Sequence, residues 1–175
     1  MKTLFLLRHA KSDYPAGIRD FDRPLAARGR AASLRMGEEL RRLGLAADHI
    51  LASPSARVTE TLALVADGYG GRMAVCFHED LYLASPEMLL AFIRDSEDRY
   101  RRLLVVGHNP GLQQLALLLG EAGAVHDKIA AKFPTGALVE IALPIASWSD
   151  VGQPGPIVRY LRPRDLKGGS AGDED

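Results

Sequence analysis

The feature that most constrains this chain is a short apolar run that stops abruptly on polar residues. Leu4-Phe5-Leu6-Leu7 gives way at once to Arg8-His9, then Ala10-Lys11-Ser12. Four consecutive apolar residues read as a strand buried on both faces. A guanidinium and an imidazole would not be tolerated inside such a strand, so it must end there. The same pattern returns far along the chain, where Leu103-Leu104-Val105-Val106 ends at Gly107-His108-Asn109-Pro110-Gly111. Strands buried on both faces need helices above and below, which restricts the chain to an α/β fold.

The intervening residues supply those helices. From Ala26 to Leu43, Ala31, Leu34, Leu40 and Leu43 recur at helical spacing, with Arg28, Arg30, Arg35, Glu38, Glu39, Arg41 and Arg42 between them as a solvated face, and Gly44 closes the helix. Asp48 to Ala52 reads as a second strand, ended by Ser53-Pro54-Ser55. A helix through Ala66 follows, with Leu62 and Val65 as anchors. Met73 to Phe77 is a third strand. Ser85-Pro86 opens a helix running to Ser96 with an N-cap serine and a first-turn proline, and Leu112 to Leu119 forms another. Ala137 to Leu143 and Ile157 to Leu161 complete the strands, joined by a Pro- and Gly-rich loop or loose hairpin over 144–156. The expected architecture is a three-layer sandwich, a mainly parallel central sheet of about six strands with helices on both faces. It is expected as a single domain over 1–167, with a frayed, acidic tail over 168–175.

In a sheet of this kind the carboxyl ends of the parallel strands share one edge, and ligands bind in the crevice beyond it. His9 and His108 would both lie there, with Arg8 and Ser12. Arg57 joins them from the first turn of a helix, where the positive end of the macrodipole makes an arginine unfavourable. Such a local conflict is expected at functional positions. His49 precedes its strand and belongs to the opposite edge, while His126 falls in a polar stretch expected to be exposed. Guanidinium forks, an imidazole, an ammonium and a hydroxyl suit a phosphate group. The bland alternative is a solvated loop after an ordinary first strand.

Composition narrows the function further. The 175 residues carry 22 Lys+Arg against 22 Asp+Glu, and this balance argues against a generic nucleic-acid or membrane binder. Cys76 is the one cysteine, which excludes an internal disulfide and fits a cytoplasmic protein. No His-x-x-x-His or His-x-His spacing offers metal ligands, and Arg8 would repel a cation, so neither metal nor cofactor is expected. There is no Gly-x-Ser-x-Gly elbow, Walker loop or Gly-x-Gly-x-x-Gly fingerprint.

Three segments together resemble the histidine phosphatase superfamily, the phosphoglycerate mutase-like group. They are Leu7-Arg8-His9-Ala10-Lys11-Ser12, Ser53-Pro54-Ser55-Ala56-Arg57-Val58-Thr59-Glu60-Thr61 and Val106-Gly107-His108-Asn109-Pro110. Arg23-Pro24-Leu25 with Gly29, and Leu81-Tyr82 with Ala84-Ser85, are similar to its short SixA-type branch of phosphohistidine phosphatases. The resemblance implies that His9 attacks phosphorus and carries the phosphoryl group, with Arg8, Arg57 and His108 binding phosphate and Ser12 as a further contact. It also implies a neutral His9, whose protonation neighbouring Arg8 and Arg57 disfavour. Ala10 departs from the usual glycine of the motif. The proton donor that ester-cleaving relatives carry has only Glu79 or Asp80 as nearby candidates, and Leu83 falls at the matching place. The implied function is a metal-independent phosphatase acting on phosphohistidine in a protein. The alternatives are a small phosphate-ester phosphatase using Glu79 or Asp80 as general acid, and a phosphate-binding module without turnover. Oligomeric state is not legible in the sequence.

Overall fold

The structure, a computed structural model, describes residues 1–170 and 172. Six strands, β1 (Lys2–Arg8), β2 (His49–Ala52), β3 (Val75–Phe77), β4 (Arg102–Gly107), β5 (Leu138–Leu143) and β6 (Ile157–Leu161), form one sheet in the order β3-β2-β4-β1-β5-β6. The pairs β1–β4, β2–β4 and β2–β3 are parallel, whereas β5 runs antiparallel to both β1 and β6. Five strands therefore share one direction and β5 alone is reversed. The helices are α1 (Ala27–Arg42), α2 (Ala56–Tyr69), α3 (Pro86–Arg94), α4 (Gly111–Leu119) and α5 (Ala124–Ala131).

Alternation along the buried strands separates two apolar layers. Leu4, Leu6, Leu103 and Val105 face a core completed by Leu89 and Ile93 of α3, Leu112 and Leu115 of α4 and Ile129 of α5. Phe5, Leu7, Leu104 and Val106 face the other, completed by Met36 and Leu40 of α1 and Val58, Leu62 and Val65 of α2. This is the expected three-layer sandwich. A run without polar alternation was the correct signature of a strand covered on both sides.

Two local expectations are corrected. The buried face of α1 is Gly29, Ala32, Ser33, Met36, Gly37 and Leu40, so Ala31 and Leu34 lie outside it and Leu43 lies beyond the helix. The reason is close helix packing: a Cβ on Gly37 would meet Val65 O at 2.1 Å, and one on Gly68 would meet Leu34 O at 2.1 Å. Contact made through glycine backbone leaves no apolar stripe to count. Second, His126 is half-buried within α5, its Nε2 3.2 Å from Leu117 O, rather than exposed between elements. The 144–156 connection is the loop expected between β5 and β6, which pair antiparallel, and it holds Trp148 fully buried, with its Nε1 donating to Tyr100 O at 2.8 Å. Of the tail expected over 168–175, residues 171 and 173–175 lie outside the described residues. Among the rest, Gly169 N donates to Leu166 O at 2.8 Å. No helix among the described residues is long and apolar enough to cross a membrane.

Candidate active site

Strand register builds the site. In the parallel pair β1–β4, Leu7 lies opposite Val106 and Arg8 opposite Gly107, so the next residues, His9 and His108, emerge side by side. His9 N donates to Gly107 O at 3.1 Å, and the two imidazoles stand 5.3 Å apart between centroids at 55°. On the far side of β4, Ala52 of β2 pairs with Val106, which brings Ser53 to the same level. Ser53 Oγ lies 2.8 Å from His108 Nε2 and Ser55 Oγ 3.4 Å from it. Helix α2 starts immediately after, delivering Arg57 to the same edge.

The orientation of His9 follows from one bond. Its Nδ1 is 2.7 Å from Ala10 O. A carbonyl only accepts, so in the neutral ring Nδ1 carries the proton and Nε2 keeps its lone pair. Ala10 is itself held: its N–H donates to Thr61 Oγ1 at 3.0 Å, and Thr61 donates to Arg57 O at 2.6 Å. The imidazole of His9 and the backbone of Arg57 are thus joined through three buried hydrogen bonds.

Both histidines are kept neutral. Burial pushes His9 down to about 3, and nearby His108, Arg8 and Arg57 push in the same direction against the bond to Ala10 O. Burial likewise pushes His108 down to about 3, with Arg57 and Arg8 adding to it and Asp20 opposing. Desolvation outweighs the arginines expected from the sequence to do this, because His9 and His108 are only 7% and 3% exposed. Their edge of the sheet opens into a cleft of about 450 Å³. Arg8, Lys11, Arg23 and Arg57 line it against one carboxylate among the described residues, that of Asp20, so a neutral chain carries a strongly cationic hollow. Arg8 Nη1 donates to Phe133 O at 3.0 Å. His108 Nδ1 and Arg57 Nε are buried without a hydrogen-bond partner among the described residues. Among the described residues no group of three or more His, Cys, Asp or Glu side chains is placed to hold a metal ion.

Residues 4–82 match the model of the histidine phosphatase superfamily (branch 1). An uncharacterized protein of Mycobacterium tuberculosis is 39% identical over 153 residues, covering 85% of this chain and 93% of its own. The chain belongs to the histidine phosphatase superfamily. Among solved structures, a protein assigned as the phosphohistidine phosphatase SixA of Nakamurella multipartitia superposes with a TM-score of 0.80. It is 27% identical, over 93% of this chain and 96% of that one. The counterpart from Agrobacterium tumefaciens gives 0.76 at 27% identity, over 91% and 97%. Membership makes the chain a hydrolase of the phosphatase class.

Within this histidine phosphatase, Arg8, His9, Ser12, Arg57 and His108 do line one cleft, as their spacing along the chain led us to expect. Glu79 and Asp80 do not: both are exposed in a 3-10 turn after β3 and neither lines the cleft, whereas Leu83 does. The carboxylate that does reach it, Asp20, is not among the residues the sequence singles out. It sits in the 3-10 turn Asp20–Asp22 and accepts from Arg23 Nη1 at 2.8 Å, Arg57 Nη2 at 3.1 Å and the Tyr82 hydroxyl. Tyr82 first, then Arg23 and Arg57, hold it well below the usual carboxylate range. Arg23 was also missed as a site residue. It is buried, donates to Asp13 O at 2.9 Å and to Ser12 Oγ, and lies 3.4 Å from the Tyr14 ring centroid.

Proposed function

We propose that this protein is a metal-independent phosphatase that works through a phosphorylated His9 and takes phosphohistidine in a protein as its substrate. The observation that carries this is the buried, neutral His9, fixed by Ala10 O with Nε2 unprotonated in a cleft rich in guanidinium groups. Arg8, Arg57 and His108 hold the phosphoryl oxygens, with Ser12 at the wall. Stabilising charge on those oxygens is most of what phosphoryl transfer requires.

In the first step Nε2 of His9 attacks phosphorus, and the bond from phosphorus to the substrate's ring nitrogen breaks. The leaving ring, protonated on its other nitrogen, departs as neutral imidazole. The positive charge left on the His9 ring is stabilised by the Nδ1–H bond to Ala10 O, the one interaction that favours a charged His9. Water then attacks phosphorus, the bond to Nε2 breaks, and phosphate leaves with His9 neutral again. No carboxylic acid is required. An ester would need one to protonate its alkoxide, and the one carboxylate among the described residues lining the cleft, Asp20, is held ionised by its three donors. The phosphohistidine phosphatases among the structural neighbours point to the same substrate class. The proposal takes residues 1–167 as one catalytic unit acting in the cytoplasm on a phosphorylated protein.

The test compares wild type with His9→Ala on a phosphohistidine-containing protein and on p-nitrophenyl phosphate, with chelator throughout. Wild type should dephosphorylate the protein and retain acid-labile label on His9 after a rapid quench; His9→Ala should do neither. Turnover surviving in His9→Ala, or loss of wild-type turnover to the chelator, refutes the mechanism.

A further inference from the structure

The cleft is polar at every wall except its rim. Of the described residues that line it, Leu83 alone is aliphatic and Tyr14 is the one aromatic ring besides the two imidazoles, and they are 55% and 77% exposed. Leu83 is also the one non-glycine residue with positive φ among the described residues, at 51°. A branched aliphatic residue in the left-handed region is strained, and such strain persists only where the surroundings enforce it.

The surroundings do so from both sides. Leu81 is buried at 1% exposure and Tyr82 bonds through its hydroxyl to Asp20. On the other side Ala84 is pressed onto α4, where a Cβ on Gly111 would meet its carbonyl oxygen at 2.0 Å. Ser85 then caps α3, accepting from Met88 N at 3.2 Å. Every neighbour of Leu83 is anchored in the protein, yet its own side chain lies in solvent at the mouth of the cleft. Glycine would serve the backbone better there, and a polar residue would serve the solvent better. Tyr14 is steadied differently, its ring lying on the Arg23 guanidinium.

We propose that Leu83, together with Tyr14, is a specificity-determining contact that packs against the imidazole ring leaving the phosphoryl group. Inorganic phosphate or a phosphoryl group on a small polar carrier would leave this apolar rim wet. A ring projecting from a protein surface would cover it and dry the cleft as it docks. The proposal rests on the phosphohistidine reading of the site. It adds that selectivity for the ring resides at a strained rim position, separate from the groups that bind phosphate.

The experiment uses two substrates with the same phosphorus–nitrogen bond. One is a small protein carrying phosphohistidine and the other is phosphoramidate, which has no ring. In Leu83→Gly, which removes the side chain and relieves the backbone, the ratio of kcat/KM between the two should fall about tenfold, the scale of losing one partly buried leucine contact. Leu83→Met should restore most of it, and the melting temperature of Leu83→Gly should stay level or rise. An unchanged ratio, or an equal fall on both substrates, overturns the proposal while leaving the phosphatase mechanism standing. Wild type that turns over neither substrate refutes the underlying reading, and this inference with it.

Discussion

The two neutral histidines should make the fold acid-sensitive well above the range where carboxylates protonate. An imidazole whose folded value lies below its unfolded one binds fewer protons when folded. Stability then rises with pH, and is lost as pH falls below the unfolded value. For His9 and His108 that loss begins at the ordinary value of 6.5 and runs down to about 3. Around pH 5 each group is about 1.5 units below its unfolded value. At about 1.4 kcal/mol per unit, each costs about 2 kcal/mol and the pair about 4 kcal/mol. This is a large part of a typical domain's total stability. The depressed carboxylates of Asp20, Glu39, Asp48, Asp98 and Asp165 act lower: their contributions persist above about pH 4.5, so the window from about pH 8 to about pH 5 isolates the histidines. His49, also lowered by burial, adds a smaller effect of the same sign.

Urea unfolding read by circular dichroism near pH 8 and near pH 5 measures this directly. With a slope of about 2 kcal/mol per molar urea, the wild-type midpoint should fall by about 2 M on acidification. His9→Gln should remove about half of that fall, and His9→Gln/His108→Gln nearly all of it. A midpoint that stays level in wild type, or an undiminished fall in the double variant, would refute the claim that burial keeps these rings neutral.

Two further predictions concern what holds His9 in place. Thr61→Val keeps the shape but removes the acceptor of Ala10 N and the donor to Arg57 O; with Thr61 only 1% exposed, stability should fall by about 1–3 kcal/mol in thermal melts. Its kcat should fall more than its KM rises, because Arg57 is still held within α2 and by its bonds to Asp20, whereas Ala10, which orients His9, loses its acceptor; a KM effect alone would contradict this. In Gly29→Ala the new Cβ would sit 2.1 Å from Lys11 O, in the loop that carries Lys11 and Ser12 into the cleft. Overpacking there should cost about 1–3 kcal/mol in urea titrations and weaken binding of inorganic phosphate; unchanged phosphate affinity would show that the loop absorbs the shift without moving the site.

The parts of this protein legible in its sequence are those that backbone periodicity dictates. An unbroken apolar run identifies a strand covered on both faces, and the residue that ends it must sit at an edge. Equal register in β1 and β4 then does the rest, since Arg8 opposite Gly107 places His9 beside His108 without any side-chain interaction. What stayed hidden was built by other means. The α1–α2 contact runs through Gly37 and Gly68, which no count of apolar residues detects, and α5 buries one residue, Ile129, too few to make a stripe.

The carboxylate nearest the chemistry belongs to the second kind. Asp20 is brought to the cleft by hydrogen bonds from Arg23, Arg57 and Tyr82, residues on three separate segments whose meeting no local pattern announces. Glu79 and Asp80 were candidates because they follow a strand, the argument that succeeded for both histidines. It failed here because β3 is a three-residue edge strand whose continuing chain folds into an exposed 3-10 turn outside the cleft. A strand tip locates a functional side chain only when strands on both sides enclose it. β1 and β4 are so enclosed and β3, at the edge, is not, so the same inference was sound in the centre of the sheet and unsound at its margin.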